Sequence, residues 1–410
     1  MEVVYPRCCG LDIHKDVLVA CRITPGERGR PTKEIATFGA TTDEILRLGD
    51  WLAEAGCTHV AMESTGVYWK PIWNLLEGQV ELLLVNAQHV KAVPGRKTDV
   101  QDSEWLADLL RHGLLTPSFV PGRAQRELRE LTRYRASLVR ERTAEVNRLQ
   151  KTLEGANIKL GSVATDIMGK SGRQMLEQLV AGRSDPTALA DLAKGRLRAK
   201  IPALERALVG RFGAHQRFLV AQQLAHIDYL DEVLARVSVE IAERVRPFED
   251  ALTRLDAIPG VGRPTAEVIV AELGTDMSRF PTAAHAASWA ALCPGQHESA
   301  GKRTSGRTRK GNRSLRVALI EAAHAAGRSR GTYLGAQYHH LAPRRGKKKA
   351  VVAVAHTILV IAYHLLADNQ ATYTDLGPDF FDRRNQDALE RRLIRRLEQL
   401  GNKVTIERVA

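Results

Sequence analysis

The chain has 410 residues, enough for two or three domains with apolar cores of their own. Lysine and arginine number 60 against 47 acids, a net charge of +13 that points to phosphate-bearing partners. Five cysteines (Cys8, Cys9, Cys21, Cys57, Cys293) are too few and too irregular for a disulfide framework or a zinc site. The amino terminus shows no signal-peptide pattern, so a reducing cytoplasm is the expected home.

Residues 1–120 alternate strand and helix signals and predict an α/β domain. Residues 7–13 and 17–23 read as a hairpin and 33–38 as a third strand. Residues 43–55 read as an amphipathic helix with Ile45, Leu46, Leu48, Trp51 and Leu52 on its apolar side. Residues 59–62 and 80–85 add two short strands. Four acids stand within this pattern. Asp12 interrupts the apolar run Cys8-Cys9-Gly10-Leu11-Asp12-Ile13, and Glu63 ends His59-Val60-Ala61-Met62-Glu63. Asp99 and Asp102, spaced i, i+3, fall on one face of a starting helix.

A carboxylate alone on a buried strand is expensive to desolvate. Several in one domain are best explained by shared hard cations, which favour oxygen ligands. Paired Mg²⁺ ions about 4 Å apart drive in-line phosphoryl chemistry. A hairpin followed by alternating strands and helices, with acids at the strand ends, fits an RNase H-like core. Its metal site would form where the strands carrying Asp12 and Glu63 lie side by side. Each acid alone also has an ordinary reading. Asp12 can close a turn, since His14-Lys15-Asp16 follows it and looks like a hairpin tip. Glu63 can cap a loop, Asp99 can be an N-cap and Asp102 can favour the helix dipole.

The central region, 121–246, changes to long helices. Between Gly122 and Gly155 there is no Gly or Pro, and Leu128, Leu131, Leu138, Val146, Leu149 and Leu153 recur at helical spacings. A cleaner heptad follows: Val220, Gln223, Ile227, Leu230, Leu234, Val237 and Ile241 step by three and four. This seam is expected to pair two protomers, with packing inside one chain as the alternative. Gln223 is the polar residue that fixes its register.

The third region, 247–370, opens on Ile258-Pro259-Gly260-Val261-Gly262 between two helix patterns, a helix-hairpin-helix signature. Gly260 and Gly262 allow close backbone approach to a phosphate, with the amides of the next helix facing it. A plain turn between helices is the alternative. From Ser299 to Lys349 there are 14 Lys or Arg and one acid, Glu321. Ser299 lies in what reads as a flexible, basic loop. Lys302, Arg303 and Arg307 suit a scissile phosphate and the charge of its transition state, with Ser299 placed to attack it. Arg309, Lys310 and Arg313 extend the same nucleic-acid-binding surface.

Residues 313–328 read as an Ala-rich helix. Residues 350–367 carry no acid, Lys or Arg and just reach membrane-spanning length, but His356 and His364 favour a buried core helix and no membrane. In the tail, 371–410, a helix aligns Leu389, Leu393, Leu397 and Leu400, and 404–406 reads as a short strand.

Taken in order, the motifs around Asp12, Glu63, Asp99, Asp102, Gly260 and Ser299 resemble one family. It is that of the DEDD-type insertion-sequence transposases, bacterial recombinases directed by a bridge RNA. The similarity runs from the first strand through the 350–367 helix and into the tail. The resemblance implies a RuvC-like domain in which Asp12, Glu63, Asp99 and Asp102 hold Mg²⁺, as two ions per site. It also implies a carboxy-terminal domain whose Ser299 forms a covalent phosphoserine link to the cut strand. Further implications are an active site shared between protomers, homodimers assembling to homotetramers on donor and target DNA, and association with the bacterial nucleoid. A structured guide RNA is held by the protein and pairs with both DNAs. Two residues depart from the family pattern: Ala300 follows the serine, and Ser103 follows the last acid. Both changes are mild.

Two other readings compete. A Holliday-junction resolvase-like nuclease would use the acids without a covalent link. A non-catalytic nucleic-acid-binding protein would use only the hairpin and the basic loop.

Overall fold

Alternating apolar residues close the first strands into a hairpin, β1 (Cys8–Ile13) against β2 (Val17–Pro25), and β2 pairs antiparallel with β3 (Pro31–Gly39). On its other edge β1 pairs parallel with β4 (His59–Glu63), which pairs parallel with β5 (Glu81–Val85). The result is a mixed five-stranded sheet of order β3-β2-β1-β4-β5, built from the five strands that the alternation predicts. The computed structural model describes residues 2–27, 30–64, 66–86, 102–295, 297–299, 301–308, 311–384 and 386–405. Val80 falls one residue short of its expected strand and instead bridges Glu77.

Helices cover both faces of this sheet. α1 (Thr42–Glu54) buries Ile45, Leu48 and Leu52, and α2 (Trp69–Leu76) buries Ile72 and Leu76. They share one core with Cys9, Leu11 and Ile13 of β1 and Val60 and Met62 of β4. Leu46 is 44% exposed, contrary to its expected place in the apolar stripe. It lies one residue, about 100° around the helix, from the i, i+3, i+7 stripe that meets the sheet. On the opposite face lies α3 (Asp102–Arg111), with Ala107 and Leu110 packed on Cys8, Cys21, Ile23 and Ala61.

The chain divides into two compact units, Met1–Arg123 and Ala124–Ala410. In the second, α4 (Arg123–Gly155) runs 33 residues without a break. Four short helices follow: α5 (Leu160–Val163), α6 (Lys170–Val180), α7 (Pro186–Ala190) and α8 (Ile201–Ala207). Then α9 (Ala214–Val245) returns along α4. Three contacts give the direction. Arg244 meets Glu127 at 2.7 Å, Arg142 meets Asp231 at 2.5 Å, and Gln223 donates to Thr152 at 3.2 Å. One numbering rises as the other falls, so the pair is antiparallel.

The heptad seam of α9 is therefore filled from within the chain, against the expectation that it pairs protomers. Val220, Leu224 and Ile227 join Leu149 and Leu153, while Leu230 and Val233 join Leu138. Gln223, expected to fix register, donates to Thr152 on α4 of the same chain.

Beyond Val245 come α10 (Glu249–Asp256), α11 (Arg263–Leu273) and α12 (Ala283–Trp289). A hairpin of β6 (His297–Ser299) and β7 (Lys302–Ser305) precedes α13 (Arg313–Ala326), α14 (Tyr333–Arg345) and α15 (Lys347–Ala367). By length and composition alone α15 is long and apolar enough to cross a membrane. Here it packs on α10, α12, α13 and α14, and the Tyr363 hydroxyl donates to the Phe280 carbonyl at 2.7 Å. In the tail, α16 (Phe380–Arg384) and α17 (Gln386–Gln399) are helical, with Leu393, Leu397 and Leu400 exposed. Val404 and Thr405 are not in a strand, and Ile406 lies outside the described residues. An isolated edge with no partner strand has nothing to bond its backbone.

Candidate active site

Register and packing set three of the four acids toward the same face and the same end of the sheet, without drawing them together as a metal-holding group. Parallel pairing of β1 and β4 runs from Cys8 and His59 to Leu11 and Met62, so Asp12 and Glu63 are the next couple, on strands about 4.8 Å apart. Their facing follows from their neighbours. The Cys8 thiol donates to the Ala107 carbonyl at 3.5 Å, and Ala61 packs with Ala107 and Leu110. The two-residue period of a strand then aims Asp12 and Glu63 to the α3 side of the sheet.

Asp102 is the first residue of α3. That helix lies against β1 because Gly10 has no side chain. A Cβ on Gly10 would sit 2.2 Å from the Ser103 carbonyl oxygen and 2.4 Å from the Ala107 nitrogen. With Ala107 over Cys8 and Ser103 over Gly10, the start of α3 points to the Asp12 end of the strand. Asp99 lies outside the described residues. Among those described, no three His, Cys, Asp or Glu side chains come together as a metal-holding group.

The rim is wet and the core behind it dry. The Asp12 side chain is 30% exposed and meets His14 Nε2 at 3.2 Å across the β1–β2 turn. Burial pushes the Cys8 thiol up to about 12 and the Cys21 thiol up to about 11, so neither is a nucleophile at neutral pH. His14 is a neighbour that the sequence pattern placed only as part of a turn tip.

The second group of expected residues is in the other unit. Ser299 ends β6 and Lys302 begins β7, paired with each other in the antiparallel register, and Glu298 pairs with Arg303. The expected flexible loop is thus a hairpin with Ser299 at its tip, closed by Gly301 at φ +73°. Its base is held together. The Gly295 amide donates to the Arg307 carbonyl at 2.9 Å, Pro294 bridges Thr308, and Arg316 donates to the Thr308 hydroxyl at 2.7 Å. Lys302 and Arg307 are exposed, as is Arg313 at the start of α13. Arg309 and Lys310 lie outside the described residues. Ser305 has a structural task, since its hydroxyl accepts from the Arg307 amide at 3.1 Å.

Gly260 has a packing role of its own. At φ +89° its added Cβ would lie 2.3 Å from the Ala322 carbonyl oxygen, so this turn is pressed onto α13. Gly262 is exposed and caps α11, but Pro264 removes one first-turn amide from any anion site. Arg263 beside it is matched by Glu249 and Glu267.

Sequence reading gave no role to the ionic centre beneath the hairpin. Glu272 on α11 is fully buried, with Arg133 at 2.7 Å, Arg129 at 3.3 Å and the Asn312 side-chain amide at 2.6 Å. Asn312 also caps α13 by accepting from the Leu315 amide at 3.0 Å. It therefore ties the exit of the basic hairpin to the buried carboxylate. Burial pulls the Arg129 guanidinium down to about 10, while Glu272 pulls it back up. A glutamate directly after the apolar run Val268-Ile269-Val270-Ala271 was the available signal.

Comparisons with known proteins fit both halves. A DEDD transposase model of the IS110 type matches residues 9–158, and a transposase model of the IS116/IS110/IS902 family matches residues 252–339. The chain is 27% identical over 383 residues to the transposase for insertion sequence element IS1111A of Coxiella burnetii, covering 90% of this chain and 91% of that one. It is 30% identical over 290 residues to an uncharacterized 44.8 kDa protein of insertion element IS116 from Streptomyces clavuligerus, covering 62% of this chain and 71% of the relative. The first match contains all four acids and the second contains Ser299. The chain belongs to the IS110 family of insertion-sequence transposases, enzymes that cut and rejoin DNA.

Proposed function

We propose that this transposase is an RNA-guided recombinase that joins donor to target DNA through a phosphoserine intermediate, with an RNase H-like, RuvC-like acid domain. What supports the reading is that Asp12 and Glu63 come next in register on the parallel strands β1 and β4, on the face that α3 covers, with Asp102 first in α3. Carboxylate oxygens are the donors Mg²⁺ prefers, and Asp12, Glu63, Asp99 and Asp102 are the residues that would hold two ions. Bound there, Mg²⁺ supplies positive charge to the phosphate under attack.

The remaining work belongs to side chains of the basic hairpin. Ser299 is the nucleophile: its oxygen bonds to phosphorus as the bond to the leaving strand breaks, and its proton ends on the released hydroxyl. Rejoining runs the same exchange backwards with a new strand end. One phosphodiester replaces another, so no ATP is required. Lys302, Arg303, Arg307, Arg309, Lys310 and Arg313 offset phosphate charge around the serine. Protomers act as dimers and tetramers, and a structured guide RNA selects both DNAs by base pairing, leaving the protein to read backbone shape.

The test is reconstitution of the full chain with the structured RNA transcribed beside its gene, plus donor and target plasmids and Mg²⁺. Recombinants should require the RNA and should move to a new target when its pairing loop is rewritten. Recombination at an unchanged site without RNA would overturn the guidance.

A further inference from the structure

We propose that the cap on the long helical hairpin carries a second nucleic-acid contact, a cleft that takes a phosphodiester backbone. The cleft has a volume of about 610 Å³ and lies where α5, the start of α6 and the 3₁₀ turn Gly195–Lys200 meet. Lys170, Lys194, Arg196 and Lys200 line it, all exposed. They arrive from two separate segments, so the fold rather than a run of sequence gathers them.

Several arginines of the hairpin and its cap are matched: Arg142 with Asp231, Arg148 with Glu145, Arg173 with Asp228 and Arg244 with Glu127. Lys170, Lys194 and Arg196 make no ion pair among the described residues, and Lys200 donates only to the Val163 carbonyl, at 3.0 Å. The one acid on the wall, Asp166, accepts from the Met168 amide at 2.9 Å. Segment 194–200 holds four cations and no acid. Four unmatched cations around a concave surface repel one another unless an anion sits among them.

The floor also suits phosphate oxygens. The 11-residue α6 starts there with Gly169 as N-cap and no side chain capping its first-turn amides. Ser171 is turned inward, where its hydroxyl accepts from the Lys194 amide at 2.9 Å, so the two walls are fixed to each other. The cleft is thus built before any ligand arrives. It takes the reading of the chain as a nucleic-acid enzyme only for the identity of its ligand, and it lies apart in sequence from every catalytic residue proposed above.

Binding of the full chain to fluorescent duplex DNA and to a structured RNA, over a salt series, tests it. The cleft variant is Lys194→Gln/Arg196→Gln/Lys200→Gln, and Arg183→Gln/Arg206→Gln/Arg211→Gln serves as a control of equal charge. Loss of three backbone contacts should lower the salt slope by about 2 to 3 and weaken binding about tenfold or more near 0.1 M salt. The control should match the wild type. If only the RNA arm changes, the cleft holds RNA, and if only the DNA arm changes it holds DNA. A cleft variant that binds both as the wild type does, or no worse than the control variant, overturns the site while leaving the proposed recombinase chemistry untouched.

Discussion

In the sheet unit, Asp12, Glu63 and Asp102 lie at the rim of an apolar core, whereas in the helical unit Glu267 and Glu272 lie inside one, each met by arginine. The chemistry of the groups is the same and their fate differs. An acid buried among guanidinium groups is spent on architecture, since breaking the set leaves an uncompensated charge. An acid at the end of a strand, with the apolar core behind it, stays in reach of solvent and of a ligand. The contrast separates catalytic candidates from structural ones better than residue type does.

If that division is right, substitutions at the rim cost activity and those at the centre cost stability. The largest effect on activity should come from Asp12→Ala or Asp102→Ala. Each should reduce strand exchange to background while RNA and DNA binding persist, and recombination assays beside gel-shift measurements check this. Undiminished recombination by either variant would remove the acids from the mechanism.

Glu272→Ala should destabilise the protein by about 3 to 5 kcal/mol, because buried Arg129 loses its partner. Denaturant melts of this variant and of Arg129→Met/Glu272→Leu sharpen the comparison: the double variant should recover part of the loss. Gly10→Ala tests the link between packing and the rim. Its methyl group meets the backbone of α3, so about 1 to 3 kcal/mol of stability should be lost and strand exchange should fall as Asp102 shifts. The smallest effect belongs to Gln223→Leu, within about 1 kcal/mol. Light scattering should show its oligomeric state unchanged, since the seam it belongs to is filled by α4 of the same chain.

Much of the sheet was legible because period-2 alternation and turn residues such as His14-Lys15-Asp16 mark strands locally. Asp12 and Glu63 stand out for the same reason: each interrupts or ends an apolar strand pattern. Leu46 was misread because a run of apolar residues hides which three share the buried stripe. The seam at Val220–Ile241 showed its period but not its partner, because a heptad looks alike whether the matching helix is 70 residues away or in another protomer. The hairpin at Ser299 was hidden by glycine and basic residues that usually signal an open loop. Glu272 was hidden because its partners, Arg129 and Asn312, lie on opposite sides of it in sequence.

The central claim, that Ser299 carries the cut strand, is tested most directly by trapping the covalent adduct. A suicide DNA substrate that loses its rejoining end should leave protein attached to DNA, and peptide mapping by mass spectrometry should place the phosphate on Ser299. Ser299→Ala should give no adduct and no recombinant, while Ser305→Ala, whose hydroxyl holds the Arg307 amide, should give a weakened but detectable adduct. An adduct that persists in Ser299→Ala, or one mapped to Ser305, would contradict the account. Cleavage that depends on Asp12 but forms no adduct in the wild type would replace it with a metal-dependent, resolvase-like nuclease.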